Sequence, residues 1–239
     1  MKRRHLVGAG AGLAAVALIA GGAYVYFFSG LRTSPNQLTL STTPAATGSP
    51  ITQSSGLAGK WTVASGSLAG YRVKELFVGQ TSQHEAIART STVSGGLTVT
   101  GDSSGYQVSA LTVSAGLADL HSVDQVAGRD VSLRDSIVSR QINVQQYPTA
   151  TFTASSVSVP GSVLSQQVDV TVAGKITIHG VTKDITATAK AQVVGNQIEI
   201  AGSVSIDMTD FQVTRPQVPF TTVDSKVTIE FDVFLRAAP

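Results

Sequence analysis

No cysteine occurs anywhere in the 239 residues. Disulfide bonding, thiol catalysis and zinc–thiolate sites are therefore excluded. The same absence removes the lipid-modified cysteine that tethers a bacterial lipoprotein, and it leaves nothing to misoxidise outside a cell. Charge is sparse, at 13%, and aromatic residues reach only 6%, with Trp61 the single tryptophan. There is no basic stripe with interleaved aromatics, so nucleic-acid binding has no electrostatic footprint. The net charge of +2 originates at the start of the chain. Without Lys2, Arg3 and Arg4, 14 of the 17 Lys+Arg remain against 15 Asp+Glu.

Lys2, Arg3, Arg4 and His5 precede an uncharged stretch from Leu6 to Gly30. About 20 apolar residues suffice to cross a bilayer. The leading cations favour a cytoplasmic N-terminus, and Tyr24, Tyr26, Phe27 and Phe28 gather at the far end as interfacial aromatics do. The expectation is a transmembrane helix within 1–30. It would make this a single-pass protein of the cell membrane, with its C-terminal domain outside the cytoplasm. The competing reading is a signal segment cut after Ala23, which gives a secreted or periplasmic product. Between Arg32 and Lys60 there is no charge, and the composition is rich in Ser, Thr, Pro and Gly. Residues 31–59 are thus expected to form a flexible tether, and 60–239 the domain.

Within that domain the dominant signal is alternation with period two, the mark of strands with one apolar face. Val168, Val170, Val172, Ile176 and Ile178 share a face. Ile185, Ala187, Ala189, Ala191 and Val193 form a second row, Ile198, Ile200, Val204 and Ile206 a third, and Val227, Ile229, Phe231, Val233 and Leu235 a fourth. Gly101–Gly105, Pro160-Gly161, Gly180 and Gly195-Asn196 stand where hairpins should close. This pattern predicts an all-β, antiparallel barrel or sandwich.

Asp119–Gln146 breaks the pattern. Ser122-x-x-Gln125 resembles a helix start. Asp130 and Arg134 stand four apart, as do Leu133 and Ile137, so a short helix would pair the charges and bury the apolar side chains. One or two helical turns are expected here, covering one end of the barrel.

Three runs carry a family resemblance: Gly128-Arg129-Asp130-x-x-Leu133-Arg134, Tyr147-Pro148-x-Ala150-x-Phe152, and Gly174-x-Ile176-Thr177-Ile178-His179-Gly180-Val181-Thr182-Lys183. With Trp61, Tyr71-Arg72-Val73-x-Glu75 and Ala88-Arg89-Thr90, they resemble the YceI-like family of lipid- and polyisoprenoid-binding proteins. The resemblance spans about 60–236. It implies a lipocalin-like antiparallel barrel around a long apolar tunnel that holds an isoprenoid-tailed or other amphipathic lipid outside the cytoplasm. On that reading Trp61, Tyr71, Val73, Phe152, Val168, Val170, Ile176, Ile178 and Phe231 line the ligand. A bound isoprenoid or fatty-acid-like lipid is expected, and no cofactor.

Arg129, Asp130 and Arg134 are a candidate gate for a polar lipid head, set against a purely structural ion-pair cluster. Trp61 would plug one barrel end or stack on the ligand. His179 reads as an outward turn residue, and His84 and His121 have no partner at a metal-binding spacing, so no metal is expected. Gly101-x-Ser103-x-Gly105 matches a serine-hydrolase pattern, but that motif needs a strand-to-helix elbow, whereas here it lies between two strands of a hairpin. With no catalytic residues identified, the sequence reads as a binding module and not an enzyme. The alternative is a packed barrel without a lipid, acting as an interaction or envelope-stress module.

Overall fold

The computed structural model describes residues 32–42, 51, 56–79, 82–126, 130–219 and 221–238. The expected membrane span within 1–30 and the candidate gate residue Arg129 lie outside them. No helix among the described residues is long and apolar enough to cross a membrane.

The strands are β1 (Arg32–Thr33), β2 (Gly59–Val63), β3 (Leu68–Phe77), β4 (His84–Thr90), β5 (Val93–Asp102), β6 (Gly105–Gly116), β7 (His121–Ser122), β8 (Gln125–Val126), β9 (Thr149–Pro160), β10 (Val168–Ile178), β11 (Val181–Val194), β12 (Gln197–Asp207), β13 (Gln217–Val218) and β14 (Thr221–Ala237). One helix, α1 (Ser132–Gln141), separates β8 from β9. β2 continues into β3, and β4 into β5, so that each pair acts as one bent strand. Eight antiparallel staves result, and the pairing of β12 along its whole length with residues 226–236 of β14 closes them into a barrel. Closure gives every stave two neighbours, although β9 and β10 pair only over 151–153 and 175–177.

Local chemistry sets the hairpins. His179 and Gly180 join β10 to β11 with φ of 52° and 76°, the left-handed pair that suits a tight hairpin. A side chain at Gly180 would meet the Tyr147 ring at 2.6 Å. At the β5–β6 turn the Asp102 carboxylate accepts from the Ser104 amide and hydroxyl at 2.9 and 2.6 Å. The Gly-x-Ser-x-Gly run is therefore strand–turn–strand, as its flanking pattern suggested.

The helix differs in detail from expectation. It begins at Ser132, while Ser122 and Gln125 belong to short strands. Asp130 does not pair with Arg134. It closes a turn on Ser132 instead, accepting from its amide and hydroxyl. Asp135 accepts from the Ser122 amide and hydroxyl at 2.9 and 2.6 Å, which fastens α1 to β7.

Along its axis the barrel divides into two unlike halves. The end bearing the β5–β6 and β11–β12 hairpins is solid. Trp61, Leu97, Val99, Tyr106, Val108, Val157, Val168, Val170, Val172, Ile198, Val233 and Leu235 pack there as one cluster. Trp61 belongs to it, 5% exposed, with its indole N–H donating to the Leu57 carbonyl at 2.8 Å. The opposite end, under α1, is hollow.

The first part of the expected tether behaves differently from a flexible chain. Residues 34–42 lie along the outer wall as a strap. The Leu38 amide donates to Glu230 at 3.2 Å, and the Ser41 amide and hydroxyl donate to Glu199 at 2.6 and 2.8 Å. The Pro35 and Asn36 carbonyls accept from Arg72 and Arg89. Glu199 and Glu230 point outward by alternation, yet both are completely buried. Without partners such buried carboxylates would be costly. Arg72 and Arg89 pair with Glu230 at 2.7 and 2.8 Å, and the strap completes the network.

Candidate functional site: an apolar chamber at one barrel end

The hollow end encloses about 650 Å³. That size falls within the roughly 300–1,000 Å³ range of small-molecule sites. Its walls are Tyr71, Val73 and Phe77 of β3, Ile176 and Ile178 of β10, Ile206 at the end of β12, and Val223, Val227 and Ile229 of β14. Met208, Phe211 and Val213, from the turn after β12, close one side. Val131, Leu133, Ile137 and Ile142, in and beside α1, face Pro216, Val218 and Pro219 across the opening. The lining is almost wholly apolar, as an aliphatic chain requires.

The positions expected to line a ligand separate according to their depth in the barrel. Tyr71, Val73, Ile176 and Ile178 line the chamber. Trp61, Val168 and Val170 lie in the solid half instead, Phe231 packs against that core, and Phe152 packs both against it and against the cluster of Ile176, Phe211 and Val213 at the chamber. The expected long tunnel is thus a shorter chamber that ends where the packed core begins. Of the candidate gate, Asp130 and Arg134 both border the chamber.

A buried polar cluster interrupts the apolar wall. Arg134 reaches from α1 to Asp124 (2.7 and 3.2 Å) and to Glu75 (2.8 Å). Asp124 also accepts from the Ile87 amide at 3.0 Å and contacts His84 Nε2 at 2.7 Å. Burial pushes the Asp124 carboxyl up, but hydrogen bonds from His84, Arg134 and Ile87 prevail and bring it down to about 2. Burial raises the Glu75 carboxyl, and Arg134 only partly offsets that. Burial likewise raises the Tyr71 phenol against a smaller opposing pull from Arg134. The cluster bolts α1 to β3 and β4 and leaves Tyr71 and Glu75 as polar marks on an oily wall.

Spacing alone did not reveal this group. His84 and Asp124 are 40 positions apart, and the tie from Arg134 to Glu75 spans 59. Met208, Phe211 and Val213 were missed because an irregular turn shows no period. The row of Ile206, Val227 and Ile229 was legible as inward-facing, but its depth was not.

His179 is half-buried and not free at the surface. Its ring meets Tyr147 edge-on at 4.9 Å, and Nδ1 contacts the Phe211 carbonyl at 3.1 Å. It steadies the turn that closes the chamber.

The fold and chamber define a class: an antiparallel β-barrel with one packed end and an apolar chamber at the other. The YceI-like domain model matches residues 61–235, and the chain belongs to that family. Among solved structures, a polyisoprenoid binding domain from Saccharophagus degradans, implicated in plant cell wall breakdown, is 16% identical. That match covers 76% of this chain and all of the other, with a TM-score of 0.53. BcnA of Burkholderia cenocepacia is 15% identical over 70% of this chain and 95% of its own, with a TM-score of 0.48. A Campylobacter jejuni YceI protein is 18% identical over 68% and 83%, with a TM-score of 0.44. No curated protein sequence matches.

Proposed function

We propose that this protein binds one amphipathic lipid with an isoprenoid or similarly apolar tail, tail inward, in the end chamber. It does so outside the cytoplasm, tethered by Leu6–Gly30, and without catalysis. The apolar chamber carries this reading, and membership of the YceI-like family supports it. Burying the tail supplies the driving force, about 25 cal/mol per Å² of apolar surface removed from water. Tyr71, Glu75 and Arg134, with Asp130, are among the polar groups that line the chamber and could meet a head or the first polar atom on the tail. Chamber residues only bind and exclude water; no covalent step is assigned to them.

The test is mass spectrometry of organic extracts from the purified protein, with Ile229→Trp as the variant. Ile229 faces the void, so the larger ring should enter empty space and displace the lipid while the β fold persists. Extracts free of lipid from both proteins, together with failure to take up an added polyprenol, would return the molecule to the packed-barrel interaction module.

A further inference from the structure

We propose that the chamber mouth is a bilayer-docking surface, so that the barrel stands with its open end on the membrane. This rests on the lipid-binding reading above. The first observation is where the chain joins the domain. β1 pairs with β8, placing Arg32 opposite Val126 and Thr33 opposite Gln125. β8 directly follows Asp124, which Arg134 of α1 bonds at 2.7 and 3.2 Å, and Leu133 and Ile137 of the same helix line the chamber. From there the strap runs away from the mouth. Ser34 bonds the Glu85 carbonyl near the start of β4, Ser41 reaches Glu199, and the Ile51 amide bonds Gly195 in the hairpin at the solid end. The chain preceding Arg32 is therefore tied to the mouth end.

That preceding chain contains the uncharged stretch Leu6–Gly30. Only Leu31 separates Gly30 from Arg32. At no more than about 3.6 Å per residue, the end of a membrane-spanning stretch would lie within about 10 Å of β1. A tether this short cannot turn the barrel over. Had the strap run the other way, the solid end would face the bilayer.

The second observation is independent. Among the described residues two large apolar side chains are prominently exposed, Leu133 at 66% and Val78 at 70%. Leu133 borders the chamber, and Val78 directly follows Phe77, a buried residue of the chamber wall. Pro219 is also exposed, on the facing side. Single exposed apolar residues are ordinary on a surface; here they gather beside a chamber whose interior is also apolar. Seated in the headgroup region, this rim would let a lipid tail pass from bilayer to chamber without crossing water.

The test uses the full chain reconstituted into phosphatidylcholine–phosphatidylglycerol vesicles containing nitroxide-labelled lipid. Because the protein has no cysteine, Leu133→Cys, Val78→Cys, Ser103→Cys and Asn196→Cys each give one labelling position for an environment-sensitive fluorophore. The labels at 133 and 78 should be blue-shifted and quenched several-fold more than those at 103 and 196, which mark the solid end. Equal quenching at both ends, stronger quenching at 103 and 196, or a chain that stays with the aqueous fraction overturns the proposal. Organic extracts of each purified protein, taken before reconstitution, separate the two ideas. Lipid in those extracts with unquenched mouth labels in vesicles defeats docking alone, and quenched mouth labels from a protein whose extracts held no lipid defeat the ligand reading alone.

Discussion

Arg134→Met removes the bolt between α1 and the barrel while keeping a long apolar side chain in place. Two carboxylates then lose a cation, and their losses are unequal. Asp124 keeps the Ile87 amide and His84. Glu75 loses its 2.8 Å bond to Arg134 in a nearly dry setting, its side chain only 5% exposed. Breaking a buried pair by removing one partner costs about 3–5 kcal/mol. For a domain of this size each kcal/mol shifts Tm by about 2–4 °C, so a fall of roughly 6–20 °C is expected. The loss should also depend on pH. Burial already raises the Glu75 carboxyl, and without Arg134 it rises further. A carboxyl whose folded pKa exceeds its unfolded value contributes stability at low pH that disappears as pH rises through the folded pKa. The variant should therefore lie closest to wild type near pH 4–5 and fall behind toward pH 8. Thermal melts across that range, with lipid extraction on the same samples, make the check. A variant that melts within about 0.5 kcal/mol of wild type at all pH values, as an ordinary surface substitution does, and yet carries no lipid would refute the structural reading and make Arg134 a gate for the lipid head.

Val170→Trp should cost about 1–3 kcal/mol by overpacking the solid half and leave lipid content unchanged; loss of lipid at full stability would mean that the chamber extends deeper than Ile176. Burial and the neighbouring Glu199 charge raise the Asp232 carboxyl to about 7, so its stabilising contribution is present below pH 4 and vanishes as pH rises through 7. Asp232→Asn should then melt higher than wild type at pH 8 and match it at pH 4, which denaturation at the two pH values decides. A chain beginning at Lys60 would lack the amides that Leu38 and Ser41 give to Glu230 and Glu199. Hydrogen bonds to charged groups contribute about 1.5–3 kcal/mol each, so this fragment should melt clearly below the intact protein, and equal melting would show the strap to be idle.

Alternation by itself determined that this chain makes antiparallel strands with one apolar face, and the Gly and Asn turns determined where the hairpins close. Both are local properties, written within a few residues of where they act. The motif runs determined the family for the same reason. Depth along the barrel was a different matter. Val170 and Ile176 share one face of β10, about 20 Å apart at the usual strand rise, yet one is packed core and the other lines a void. Alternation assigns a side chain to the inside; whether anything meets it there depends on the stagger of seven other staves. The strap was illegible for a similar reason. Its residues carry no charge and little apolar surface, and only the fold aligns Glu199 and Glu230 beneath their amides. Arg134 likewise received a partner four residues away from helical spacing, whereas the tertiary structure gave it Asp124 and Glu75, because buried carboxylates compel pairing more strongly than an exposed Asp130 can.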